Sequence, residues 1–163
     1  MKWIKIILTT IIVILLQVTI FNRLQINGWG YPMVYILLLL NIPPQKPRWI
    51  EMLVGTLVGL IIDICNNSLG VNMAACVALA YLRPIILKKM VQDVERIKGE
   101  ICSRSVGGIE YLKCIVLLTI LHHLMVFGLE AWSIQNWLLI VIQTLCSSFL
   151  TILLLLGYDL IRR

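Results

Sequence analysis

Six long, almost uninterrupted apolar runs constrain the fold of this chain more than any other feature. Leu and Ile fill these runs without the polar face that a helix on a soluble protein carries. Of the 163 residues, 60% are hydrophobic and 13% are charged, whereas about 25% are charged in an average soluble domain. The sequence therefore predicts an all-α membrane protein with a single domain, 1–163, and six transmembrane helices. The predicted spans are residues 3–21, 31–42, 50–65, 69–87, 111–129 and 136–158.

The first two runs differ from an ordinary transmembrane span, the first in its signal-peptide-like start and the second in its short length. The first follows Lys2 and Lys5 like a secretory signal peptide, but no small-residue cleavage site follows it, so we expect it to remain as a span. The second run, 31–42, covers about 18 Å as a helix, which is short of the ~30 Å hydrocarbon core. Either it extends upstream through Ile26 and Trp29, or the bilayer is thinned around it.

The distribution of positive charge predicts the topology. Lys and Arg accumulate in the cytoplasmic connections of membrane proteins, and here they occupy alternate connections and both termini. Twelve of the 14 Lys and Arg residues lie in these connections and termini. Arg83 lies in span four near its end on the same side, and Arg23 is on the opposite side. Both termini are therefore predicted to be cytoplasmic. The twelve are Lys2, Lys5, Lys46, Arg48, Lys88, Lys89, Arg96, Lys98, Arg104, Lys113, Arg162 and Arg163.

The longest connection is the predicted cytoplasmic loop 88–110. Its apolar residues Met90, Val94, Ile97 and Ile101 recur at helical spacing, which predicts a short amphipathic helix. Two interpretations remain open for that helix. It lies on the inner leaflet, or it docks a cytoplasmic partner.

Small residues and one acid in spans three and four predict a close helical hairpin. Gly55, Gly59 and Asp63 follow one another every four residues and therefore share one stripe. Ala74 and Ala78 on span four offer a second small surface, so the two helices can approach closely. We expect Asp63 either to accept hydrogen bonds from the turn or the start of span four, or to anchor a partner helix or ligand.

Other polar residues within the spans are candidates for contacts between helices. Arg83 precedes a proline near the inner end of span four and is expected to extend to lipid phosphate. His122 and His123 lie at mid-depth and are expected to form hydrogen bonds across helices, with a proton relay as the alternative. Gln17 and Gln143 are similar interhelical candidates.

No pattern typical of catalysis or nucleic-acid binding is found. The sequence has no H-E-x-x-H, G-x-S-x-G or glycine-rich phosphate loop, and its five cysteines include no C-x-x-C pair. The basic residues lie in short connections and not on one face with aromatic residues between them. We therefore expect a protein that is not an enzyme, with no metal, no cofactor and no nucleic-acid partner.

Several motifs occur in an order and spacing that resemble a known family. They are Gln17 followed by Phe21-Asn22, Tyr35-Ile36-Leu37-Leu38 before Pro43, Pro47-Arg48-Trp49, Gly55 to Asp63, Leu69-Gly70 with Ala74-Ala75, Leu82-Arg83-Pro84, and His122-His123-Leu124 through Glu130. With them the chain resembles MreD, the rod shape-determining membrane protein of bacteria, over essentially its whole length.

This resemblance implies a non-enzymatic scaffold subunit of the cell-elongation complex, which directs peptidoglycan synthesis at the bacterial inner membrane. The implied partner is an MreC-like protein and, through it, the penicillin-binding transpeptidase, RodA and MreB, with membrane lipids around the chain. Asn22 joins the candidate polar residues through its motif.

The family is also similar to the substrate-binding subunits of energy-coupling-factor vitamin transporters, which have six helices around a cavity. A vitamin-binding transport subunit is therefore the alternative function. Those subunits share an Ala-x-x-x-Ala pattern on span one, but no Ala occurs between Met1 and Ile50. This difference favours the scaffold.

Overall fold

A computed structural model describes residues 2–24, 30–97, 99–131 and 137–162 of the chain. Within these ranges the protein is all-helical, without a strand. The described residues contain five long α-helices and two short ones. The helices are α1 (Lys2–Thr19), α2 (Ile36–Leu40), α3 (Arg48–Asn66), α4 (Val71–Met90), α5 (Ser103–Val106), α6 (Gly108–Glu130) and α7 (Trp137–Arg162).

Five helical stretches in the described residues are long and apolar enough to cross a membrane, which confirms the all-α, multi-pass character predicted from the sequence. The first of them is Ile6–Arg23, and the others coincide with α3, α4, α6 and α7. The predicted span 31–42 is not among them. Its only helix, α2, has five residues and covers about 7.5 Å.

The stretch 30–42, here called the buried segment, runs through the interior of the helix bundle. Met33, Ile36 and Leu39 are 0% exposed, and Tyr35 is 1% exposed. Outside α2 this segment is irregular, and the N–H groups of Tyr31, Met33 and Val34 bond to side chains instead of to main-chain carbonyls of a helix. In a membrane, irregular backbone is tolerated where protein groups satisfy it.

Helices α3 and α4 form a close antiparallel hairpin around two glycines. A Cβ atom added to Gly59 would lie 2.7 Å from the main-chain nitrogen of Met73, and one added to Gly55 would lie 2.9 Å from the carbonyl oxygen of Cys76. Such distances exclude any side chain at either position unless the backbones separate. The absence of a side chain thus sets the spacing of the hairpin.

The alanines that were expected to meet these glycines face elsewhere. Ala74 and Ala78 line an open groove of about 400 Å³ between α4 and α6, whereas Met73, Cys76 and other residues of α4 contact the glycines. The prediction assigned the alanines to the wrong face of α4. Residues one or two positions apart on a helix point about 100–200° apart, so a small-residue pattern alone does not identify the contacting face.

The predicted amphipathic helix in loop 88–110 is also wrong. Asp93 and Gly99 have positive φ angles of 51° and 105°, which interrupt a right-handed helix. The apolar side chains of Val91, Val94 and Ile101 turn into the bundle and are buried. The loop therefore packs against the protein as turns and short helical pieces rather than lying on the membrane as one helix.

Candidate functional site

The main chain of the buried segment is held on one side by α1. Gln17 Nε2 donates a hydrogen bond to the carbonyl oxygen of Pro32 at 2.9 Å, and its Oε1 accepts one from the Val34 N–H at 2.7 Å. The same Nε2 donates to Asn22 Oδ1 at 2.9 Å, and Asn22 Nδ2 donates to Asn66 Oδ1 at 2.6 Å. Gln17 and Asn22 thereby connect α1, the buried segment and the end of α3.

Helix α7 holds the same stretch through two hydroxyl groups. Ser147 Oγ accepts a hydrogen bond from the Tyr31 N–H at 3.1 Å, and Thr151 Oγ1 accepts one from the Met33 N–H at 3.0 Å. Thr151 Oγ1 also lies 3.2 Å from His123 Nε2 on α6. These side chains replace the intrahelical acceptors that an irregular segment lacks.

His122 takes part in a polar contact between the buried segment and the start of α4. Tyr35 donates from its hydroxyl to Asn72 Oδ1 at 2.7 Å, and the same hydroxyl lies 2.9 Å from His122 Nε2. Asn72 Nδ2 donates in turn to Asp63 Oδ1 at 2.9 Å. The buried segment, α3, α4 and α6 thus meet in one hydrogen-bonded cluster.

Asp63 belongs to α3, and its side chain lies against the start of α4. There it accepts hydrogen bonds from the first main-chain N–H groups of α4. Its carboxylate is 3% exposed and accepts from the N–H groups of Asn72 at 3.1 Å and Met73 at 2.8 Å, and from the Ser68 hydroxyl. The first N–H groups of a helix have no intrahelical acceptor, and a carboxylate there also faces the positive end of the helix dipole. Asp63 therefore caps α4 from the preceding helix.

The C-terminal end of the buried segment is held by an ion pair that was not predicted from the sequence. Arg83 Nη1 lies 3.0 Å from Glu51 Oε2, and both side chains are 1% exposed. Arg83 Nη2 donates to the carbonyl oxygens of Leu40 at 3.0 Å and of Ile42. These carbonyls lie at and just beyond the end of α2, where a short helix leaves its acceptors unsatisfied.

The expectation that Arg83 reaches lipid phosphate is therefore wrong. Its guanidinium points into the bundle, because a buried carboxylate and two carbonyl oxygens offer it three acceptors. Glu51 was missed although it lies inside a predicted span. An acid at membrane depth needs a partner, and that rule could have paired it with Arg83.

The polar stripe on α7 was missed as well, since Gln143 was the residue predicted to make interhelical contacts on that helix. Gln143 is half-buried and joins none of the contacts described above, while Ser147 and Thr151, one and two turns further on, carry them. Thr144, Ser147 and Thr151 recur on one helical face. That spacing was the available signal.

The interior of the bundle contains little free space. A pocket beside Arg83, lined also by Leu40, Tyr111 and Leu118, has a volume of about 10 Å³, enough for about one water molecule. A larger pocket of about 290 Å³ opens between Glu51 and the loop 88–110. In the described part of the chain, no three His, Cys, Asp or Glu side chains are placed to hold a metal ion.

Comparison with known proteins identifies no relative: no family model, curated protein or solved structure matches the chain.

Proposed function

We propose that this protein is a non-enzymatic scaffold of the bacterial cell-elongation complex, which binds the membrane segment of an MreC-like partner in the inner membrane. The partner and the complex come from the resemblance of the sequence motifs to MreD. The observation that carries the scaffold role is that the chain fills its own interior with the buried segment. The protein then acts through its outer surface.

The packing of the interior supports this role over vitamin capture. Small-molecule sites are clefts or cavities of about 300–1,000 Å³ that enclose most of the ligand. In the described residues the groove of about 400 Å³ between α4 and α6 is open on the surface, and the pocket beside Arg83 in the interior holds about 10 Å³. Three polar side chains that could orient a ligand, Gln17, Ser147 and Thr151, are engaged by the main chain of the buried segment. A vitamin would have to displace that segment.

The proposal includes six membrane crossings with both termini in the cytoplasm. The buried segment follows α7, because Tyr31 contacts Ser147 and Asn41 Oδ1 lies 3.4 Å from Arg162 Nη1. Residues 147–162 of α7 extend over about 22 Å, so the segment traverses most of a hydrocarbon core. Reporter fusions after Arg48 and Arg163 should both give cytoplasmic signals. A periplasmic signal after Arg48 would contradict the crossing.

Co-purification tests the partner. The chain and the MreC-like protein of the same organism are co-expressed, and the complex is recovered through a tag on the chain. Asp63→Asn should weaken recovery, because the cap of α4 loses its charge, and Asp63→Leu should weaken it more, because the donors at the turn lose their acceptor. In rod-shaped cells both variants should produce rounding.

Asp159→Asn is the matched control. Asp159 is 4% exposed and accepts hydrogen bonds from the Ser103 N–H and hydroxyl at the cytoplasmic side, so its loss perturbs the opposite end of the bundle. Recovery should therefore be closer to that of the wild type. Failure of the wild-type chain to retain the MreC-like protein, together with tight vitamin binding, would replace the scaffold with the transport function.

A further inference from the structure

An exposed cation at the start of α3 lies against an aromatic ring in the middle of α4. The Arg48 guanidinium carbon is 5.9 Å from the centroid of the Tyr81 ring, which is within the range of a cation–π contact. Tyr81 is 49% exposed and Trp49, next to Arg48, is 65% exposed. Aromatic side chains of this kind prefer the level of the lipid headgroups.

Arg48 forms no close ion pair among the residues that the structure describes, and its charge acts at longer range on Glu51, which Arg83 already binds. Three other cations on the predicted cytoplasmic side form an ion pair, and the buried Arg83 pairs with Glu51. A guanidinium at the membrane surface without a carboxylate has lipid phosphate as its nearest abundant counter-charge. The exposed pairs of this side are Lys88 with Glu95, Arg96 with Asp93, and Arg162 with Glu100.

The surface next to this cation suits the chains of a lipid. Trp49, Leu53 and Leu57 recur every four residues along α3 and therefore share one face, and both leucines are 52% exposed. An apolar surface that continues from a cation toward the membrane centre matches a phospholipid better than a soluble anion.

We propose that Arg48, stacked on Tyr81, binds the phosphate of an anionic phospholipid of the inner leaflet, whose acyl chains lie along the exposed face of α3. Arg guanidinium groups bind phosphate through two parallel hydrogen bonds, and stacking on a ring fixes the plane of the group. This site is independent of the proposed partner. It gives the protein a preference for anionic over zwitterionic lipid.

The test compares lipid binding by the purified full chain and two charge variants. Phosphatidylglycerol is titrated into the protein in phosphatidylcholine nanodiscs, and the thermal unfolding midpoint and the lipids retained in native mass spectrometry are measured. Arg48→Gln should weaken the apparent affinity for phosphatidylglycerol about fivefold, the change expected from about 1 kcal/mol per surface cation. Arg104→Gln removes the same charge from the exposed surface of α5 and should have little effect.

Each alternative result overturns the site. Equal affinities of the wild type and Arg48→Gln would show that Arg48 does not hold the headgroup. An equal loss in Arg104→Gln would reduce the effect to general surface charge. A midpoint shift by inorganic phosphate alone, at the same phosphate concentration, would indicate a free-anion site instead of a lipid site. Arg48→Lys, which keeps the charge but not the planar group, should bind with intermediate affinity.

Discussion

Replacement of Glu51 by Gln removes one charge from the buried ion pair with little change in side-chain volume. The Arg83 guanidinium would then keep its positive charge at 1% exposure without the carboxylate that now lies 3.0 Å away. Loss of one partner from a buried ion pair costs about 3–5 kcal/mol, because the remaining charge is not compensated. We expect this loss to dominate the effect of Glu51→Gln.

The expected change is large enough for a thermal assay. For a chain of this size, about 1 kcal/mol changes the unfolding midpoint by about 2–4 °C. Glu51→Gln should therefore lower the midpoint by about 6–20 °C in mild detergent. Glu95→Gln is the matched control, because Glu95 also lies in an ion pair but is 77% exposed, and exposed pairs contribute about 0–1 kcal/mol.

The double variant Glu51→Leu/Arg83→Leu separates the ion pair from the second role of the arginine. It leaves no unpaired charge, but the carbonyl oxygens of Leu40 and Ile42 lose their donor, at about 1–3 kcal/mol for each. Its midpoint should therefore remain below that of the wild type. An unchanged midpoint for Glu51→Gln would refute the reasoning, and a double variant as stable as the wild type would show that the two carbonyls do not need Arg83.

Three further predictions concern packing, a main-chain contact and titration. Gly59→Leu should lower stability by about 3 kcal/mol or more through overpacking. Gly128→Leu should not, since an added Cβ there meets no atom within 4 Å. Equal unfolding midpoints for the two variants would contradict the close hairpin. Thr151→Val should cost about 1–3 kcal/mol in the same assay, because a buried N–H of the buried segment loses its acceptor. The hydrogen bond and charge of Lys88 lower the pKa of Glu95 from 4.5 in the folded protein. The pair therefore stabilises the fold at a pH above the Glu95 pKa of the unfolded chain, and this contribution is lost as the pH falls through the Glu95 pKa of the folded protein. Lys88→Gln should raise the NMR titration midpoint of the Glu95 carboxyl toward 4.5, and no change would exclude the pair.

The long helices could be predicted because their signal is local. An apolar run of about 20 residues has few stable alternatives to a membrane helix, and five of the six runs agree closely with α1, α3, α4, α6 and α7. The glycines of α3 were also informative. Two glycines on one stripe predict a close approach whichever helix makes it, although the contacting face of α4 needed the structure.

The buried segment could not be predicted in the same way. Its Leu-rich run has high helix propensity, yet only Ile36–Leu40 is helical. The contacts that stabilise its irregular part come from residues far away in the sequence, including Gln17, Ser147 and Thr151. The pairing of Glu51 with Arg83 is likewise a tertiary contact, which a pattern read along one helix does not reveal.

The two halves of this core differ in when their partners are synthesised. Asp63 and the glycines of α3 find their contacts within about 25 residues, so the α3–α4 hairpin can form as soon as it leaves the ribosome. The acceptors of the Tyr31 and Met33 N–H groups, Ser147 and Thr151, are synthesised 116 and 118 residues later. During that interval the main chain of the buried segment needs water, lipid headgroups or the insertion machinery as a substitute partner. Membrane insertion of this protein is therefore completed only when its last helix arrives.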